Sequence, residues 1–158
     1  MPKSSLGPVI DHVIEGTNRQ VMAVRLIVPP GTLRRIIVAV PQKAEYEAGF
    51  YKWIEHMCRM GEQLDCLIQF HAHPDTLPHI KSYMWQNHVS LRADYVEMPI
   101  WTKIVSLAQH SGSDDIVVFV TARPGFISYK GAFAGLPLLI HRYFSNTSVM
   151  LLFPDQWS

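Results

Sequence analysis

Between the apolar run Ile116–Val120 and the segment Leu136–Phe144 lies TARPGFISYKGAFAGLP, Thr121 to Pro137, with three glycines and two basic side chains. Glycine lets backbone N–H groups approach a ligand closely, and a helix N-terminus favours negative charge, so such a loop can cradle a phosphate. Gly125, Gly131 and Gly135 offer the backbone freedom, and Arg123 and Lys130 the positive charge. The same stretch also reads as a plain connection with solvated basic groups, its Phe126, Tyr129 and Phe133 packed on the body. Pro124 and Pro137 each remove one N–H donor. A connection this long in a small domain favours an interaction role.

The segment HAHPDTLPH, His71 to His79, is the second candidate. His71 and His73 are two apart at a strand end, so both can point to one face. Asp75 and His79 would complete an imidazole–carboxylate set suited to zinc or another divalent ion. Asp75 or Thr76 is better explained as a helix cap, and histidines on one face could sense pH. Cys58 and Cys66 fit neither a disulfide framework nor a zinc signature. They read as buried thiols of a reducing compartment. Cys58 falls inside a helical pattern, away from the helix N-terminus that would activate it. Asp114-Asp115 reads as a solvated turn. The chain carries no nucleophile elbow, Walker loop or HExxH motif. A non-enzymatic protein is the expectation.

These residues need a frame, and the apolar rhythm supplies one. Short β-branched or apolar runs at 35–40, 64–70, 91–98, 116–121 and 149–153 read as strands. Helical spacing covers 44–61, 76–88, 100–110 and 136–144, with Pro78 tolerable in a first turn and Pro99 and Gly112 bracketing the third helix. Trp53, Tyr83, Trp85, Trp101 and Tyr143 are expected in the core. Alternating strands and helices predict an α/β protein: a three-layer, open five-stranded parallel sheet with helices on both faces. Val21–Val28 is available as an extra N-terminal strand, and residues 1–20 read as a linker or arm. Ligands in such sheets collect beyond the C-terminal strand ends, which selects Pro41–Lys43, His71–Asp75 and the glycine loop.

At 158 residues, with 48% hydrophobic and 17% charged residues, the chain is expected to form a single domain, 21–158. A formal charge of +1 offers no basic stripe for nucleic acid. The N-terminus lacks a signal-peptide pattern, and no apolar run is long enough to span a bilayer. A cytoplasmic protein without direct membrane insertion is expected.

The strand–glycine loop–helix–strand at the end of the chain resembles the universal stress protein family, of the adenine nucleotide alpha hydrolase-like fold. The likeness spans roughly 34–153. The family fingerprint, G-x2-G-x9-G-[ST], falls without gaps on Ala122, Gly125, Gly135 and Leu136. The resemblance implies a nucleotide or anion site at Ala122, Arg123, Gly125, Gly135 and Leu136, with ATP or AMP as the ligand. Ala122 and Leu136 depart from the fingerprint: one adds a Cβ where a positive φ or a close approach is expected, the other removes a phosphate-binding hydroxyl. Pro41 stands where the family tends to place an Asp after its first strand. The loop is therefore expected to be a degenerate nucleotide site.

The chain also resembles the cytosolic C-terminal domain of bacterial cation:proton antiporters, some of which end in a segment similar to LLFPDQWS. That likeness implies a regulatory domain whose partner is the transmembrane transport domain of the same polypeptide, exchanging sodium or potassium for protons. It implies a homodimer as well, since universal stress proteins frequently pair through their last strand. Trp157, after Pro154, is expected to dock on the domain itself or on a partner subunit. The rival expectation is a free-standing universal stress protein that binds ATP or AMP at the Gly125–Gly135 loop.

Overall fold

A computed structural model of the protein describes residues 16–88 and 90–156. Its strands are β1 (Val21–Arg25), β2 (Arg35–Ala39), β3 (Leu67–Ala72), β4 (Ala93–Glu97), β5 (Asp115–Val120) and β6 (Ser148–Phe153). The α-helices are α1 (Phe50–Leu64), α2 (Leu77–Asn87), α3 (Ile104–His110) and α4 (Leu136–Tyr143). The strands form one open six-stranded sheet in the order β1-β6-β5-β2-β3-β4. Five run parallel, and β1 pairs antiparallel to β6, Val21 opposite Phe153 and Arg25 opposite Val149. The expected α/β architecture is present, and the extra N-terminal strand joins its edge.

Strand alternation divides the core into two layers. Ile36, Val38, Ile68, Phe70, Ile116, Val118, Met150 and Leu152 face α1 and α2, where Trp53, Ile54, Met57, Ile80 and Met84 are buried. Ile37, Ala39, Val117, Phe119, Val149 and Leu151 face the other way, onto Ile104 and Leu107 of α3 and Leu136 and Ile140 of α4. Burial on both faces is why β2 and β5 read as unbroken apolar runs. Cys58 and Cys66 are free and buried.

Several elements differ from expectation for local reasons. The helix expected from Ala44 begins only at Phe50, after a 3-10 turn at Ala44–Tyr46. Lys43 is left-handed (φ 70) and Glu47 extended, and together they interrupt the helical repeat. Left-handed Asp65 ends α1 by returning its N–H to the Gly61 carbonyl. Thr76 occupies the N-cap of α2 without a side-chain cap; its hydroxyl donates to Glu45 Oε1 at 2.7 Å instead. Asp115, read as a solvated turn residue, is buried at the start of β5 and paired with Arg35 at 3.0 Å. Trp53 and Trp101 are in the core, whereas Trp85 is 77% exposed and Tyr143 is exposed on α4. Helical spacing placed the last two correctly along their helices but could not say which face meets the sheet.

β1 also changes the expected dimer geometry. The outer edge of β6 is taken by β1 of the same chain, so two copies cannot pair through this last strand while β1 is in place. Trp157 and the greater part of the 1–20 arm lie outside the described residues. No described helix is long and apolar enough to cross a membrane.

Candidate functional site at the strand switch point

The strand order reverses between β2 and β5. The chain leaves the carboxyl end of β2 toward α1 on one face, and that of β5 toward α4 on the other. The divergence opens a crevice at the point where doubly wound sheets hold ligands. In this protein the crevice is filled by the chain's own tail.

The filling begins with the β5–α4 loop. Thr121 donates its N–H (2.8 Å) and its hydroxyl (3.1 Å) to the Leu152 carbonyl, extending the β5–β6 pairing by one residue. Ala122 is buried in the α3–α4 layer, and its φ is not positive. The conformational cost expected of a Cβ at this position is therefore not incurred. Arg123 turns inward. Its Nη1 donates to the Pro154 carbonyl at 2.7 Å and to Gln156 Oε1 at 3.2 Å, and its Nη2 donates to the Arg19 carbonyl. Its backbone N–H also reaches Gln156 Oε1, at 2.9 Å. Burial lowers the pKa of this guanidinium, partly offset by nearby Asp155. Neither the anion-facing Arg123 nor the solvated one describes its position: it anchors the tail.

Glu47 completes the arrangement from the β2–α1 connection. Its Oε2 accepts the Ser128 N–H at 3.1 Å, the Ser128 hydroxyl, and Gln156 Nε2–H at 2.9 Å. The Gln156 carboxamide thus stands between a carboxylate and a guanidinium, its NH₂ toward Glu47 and its oxygen toward Arg123. Glu47, Ser128, Arg123 and Gln156 are all buried, and buried polar groups require such mutual satisfaction. Outside this network, Asp155 pairs with Lys52 Nζ at 2.8 Å and accepts the Gln20 N–H at 2.5 Å. Burial alone would raise the Asp155 pKa; the Lys52 and Gln20 hydrogen bonds carry it below the usual value. Gly49 makes room for the tail, because a Cβ there would lie 2.6 Å from the Asp155 nitrogen and 2.8 Å from its oxygen.

The remaining fingerprint positions fit the same picture. Gly125 takes φ +91, which only glycine adopts without strain, and it faces open space. Gly135 caps α4, and Leu136 is buried beneath it. The N–H groups of Phe126, Ser128, Tyr129 and Phe133 donate to Arg123, Glu47, Phe126 and Lys130 respectively. These four loop donors are committed to internal acceptors, as is the Arg123 N–H. Lys130 reaches Gln42 Oε1 at 3.5 Å.

The histidine segment does not assemble as a site. His71 bonds Gln69 Oε1 at 2.6 Å, and burial first, with Arg35 and His110, depresses its pKa to about 4. His73 instead accepts the Asp75 N–H at 3.0 Å, folding back on the loop. Among the described residues no group of three or more His, Cys, Asp or Glu is placed to hold a metal ion. Burial pushes the Cys58 thiol up to about 12, with Glu55 and Glu62 adding to it, which leaves it inert at neutral pH. A groove of about 510 Å³ between α2 and β4, lined by Lys81, Trp85, His88 and Tyr95, lies at the far edge of the sheet from β6.

Sequence reasoning found the loop and missed its partners. Glu47 and Gln156 are 109 positions apart, and no local motif links them. The one available signal is Pro-Asp-Gln following directly on the last apolar strand. Comparison of the chain with protein-family models and with curated proteins finds no match.

Proposed function

We propose that the chain is a non-enzymatic regulatory domain that works on the cytosolic side of a sodium or potassium/proton antiporter, attached to the transport domain. The observation that carries this reading is the self-filled crevice. Gln156, Glu47 and Arg123 satisfy one another where a doubly wound protein would hold a nucleotide, which favours a domain acting through its own contacts over one turning over a ligand. The likeness of the sequence to antiporter C-terminal domains supplies the partner. The arm supports the attachment, because Asn18–Gln20 enters at the carboxyl end of the parallel strands and is bonded there to the tail.

The test is ion exchange in everted membrane vesicles carrying the natural polypeptide with and without residues 21–156. Exchange is expected to survive removal of the domain while its dependence on pH or ion concentration shifts several-fold. Exchange with unaltered dependence, or a natural polypeptide with no transport domain, would refute the reading.

A further inference from the structure

We infer that the arm and tail form a latch on Arg123, through which the position of the incoming chain sets the conformation of the β5–α4 loop. The use of such a latch rests on the regulatory reading; its mechanics do not.

Because β1 is antiparallel to β6, its one neighbour, its N-terminal end lies at the carboxyl end of the parallel strands, Val21 opposite Phe153. Chain entering through Asn18, Arg19 and Gln20 therefore arrives at the same end of the sheet as the switch point and meets Arg123 and the tail that fill it. Each of these three residues is tied down there. The Asn18 carbonyl accepts the Gln156 N–H at 2.8 Å, the Arg19 carbonyl accepts from Arg123 Nη2, and the Gln20 N–H donates to Asp155. The Gln20 side chain meets His56 Nδ1 of α1 at 2.5 Å. On the inner side, Gln156 and Arg123 carry the contact on to Glu47 and Ser128.

The two halves of the latch differ in how firmly they are held. Pro154, Asp155 and Gln156 are buried, whereas Asn18 and Arg19 are exposed and hold on through polar contacts. Segments with few apolar contacts open first. When the arm lifts, the Arg19 carbonyl is withdrawn from Arg123 and the Gln156 N–H loses its Asn18 acceptor; Gln156 is buried, and a buried donor is expensive to leave unpaired. Rearrangement of Gln156 relieves it; that movement releases the Arg123 amide and withdraws the Gln156 Nε2–H from Glu47, the acceptor that holds the Ser128 amide. The loop thus has two arrangements, and the arm biases the choice between them.

Hydrogen exchange of the full chain, read by mass spectrometry, tests the coupling with Asp155→Ala and Gln20→Pro. Both remove the Gln20–Asp155 bond; Asp155→Ala also removes a charge that acts on Arg123, so Gln20→Pro, whose native side chain bonds His56 of α1 rather than the loop, is the deciding variant. The amides of Arg123 and Ser128 are expected to exchange about tenfold faster in each variant. Amides of β3 should keep their wild-type rates, which also reports an intact fold. Loop amides at wild-type rates in both variants overturn the latch, whether or not the arm loosens. A uniform rise that includes β3 also overturns it, since that is general destabilisation. A silent loop would leave the regulatory reading to the vesicle experiment and remove only this route.

Discussion

At the scale of single residues, the fingerprint departures have structural causes. Leu136 stands where a hydroxyl is expected because the first turn of α4 faces the apolar layer formed with Val149, Leu151 and Phe144. Leu136→Ser restores the hydroxyl at the expense of that burial. It is expected to destabilise the fold by about 3 kcal/mol, the usual range for a large-to-small core change, read from the urea midpoint. It should bring no affinity for ATP or AMP in calorimetry, because the Arg123 side chain and amide remain turned to the tail and the Ser128 amide to Glu47. Micromolar binding by the variant would show that one hydroxyl was all the site lacked. Arg123 marks the limit of reading a sequence here. Its charge and its place beside glycines were legible, but the direction of its side chain depends on Gln156, which joins the site only through tertiary structure.

At the scale of elements, α1 and α2 are joined by a polar staple. Glu55 of α1 accepts the Tyr83 hydroxyl at 2.5 Å and pairs with His88 Nε2 at 2.7 Å, while His88 Nδ1 lies 3.3 Å from Glu62. The Tyr83 hydrogen bond, then His88, hold the Glu55 carboxyl below its ordinary value of 4.5. Burial first, then Glu55, push the Tyr83 phenol up, so it remains a donor. A depressed carboxyl pKa favours the folded state above the unfolded value, and that contribution is lost as pH falls through the folded value. The stability gap between wild type and Tyr83→Phe is expected to be about 1 kcal/mol at neutral pH and to narrow as pH falls below the ordinary Glu value. Urea unfolding across that range measures it; a gap independent of pH would break the link to Glu55. The strands and helices that carry the staple were largely legible from their periodicity, with ends displaced by a few residues. The staple itself was not, because the facing of two helices is fixed by the sheet face on which both pack.

At the scale of the whole molecule, the sheet divides the protein into two apolar layers of unequal cover. In the α1–α2 layer Cys58 is buried against Met84 of α2, and Cys66 is buried where its thiol meets the Leu33 carbonyl. Neither thiol is reached without opening that layer, so labelling by a thiol reagent should follow unfolding. In native buffer it is expected to be about a thousandfold or more slower than in denaturant, measured by stopped labelling and mass spectrometry. Rapid reaction of either cysteine in the folded protein would show a mobile α1–α2 layer. The opposite face is thinner over β3, where Gln69 and His71 stay half-buried beneath the short α3. This difference explains why β3 alternates while β5 is buried throughout.

The meeting of Asn18 with Gln156, 2.8 Å between nitrogen and oxygen, makes the body between them a closed circuit. A domain whose two ends touch can be spliced into another protein at a single surface point without spreading the host chain. It then hangs there as one pendant body, with the N-terminal ends of its parallel strands turned away from the host. Architecturally such a splice is a bead with both threads leaving through the same hole.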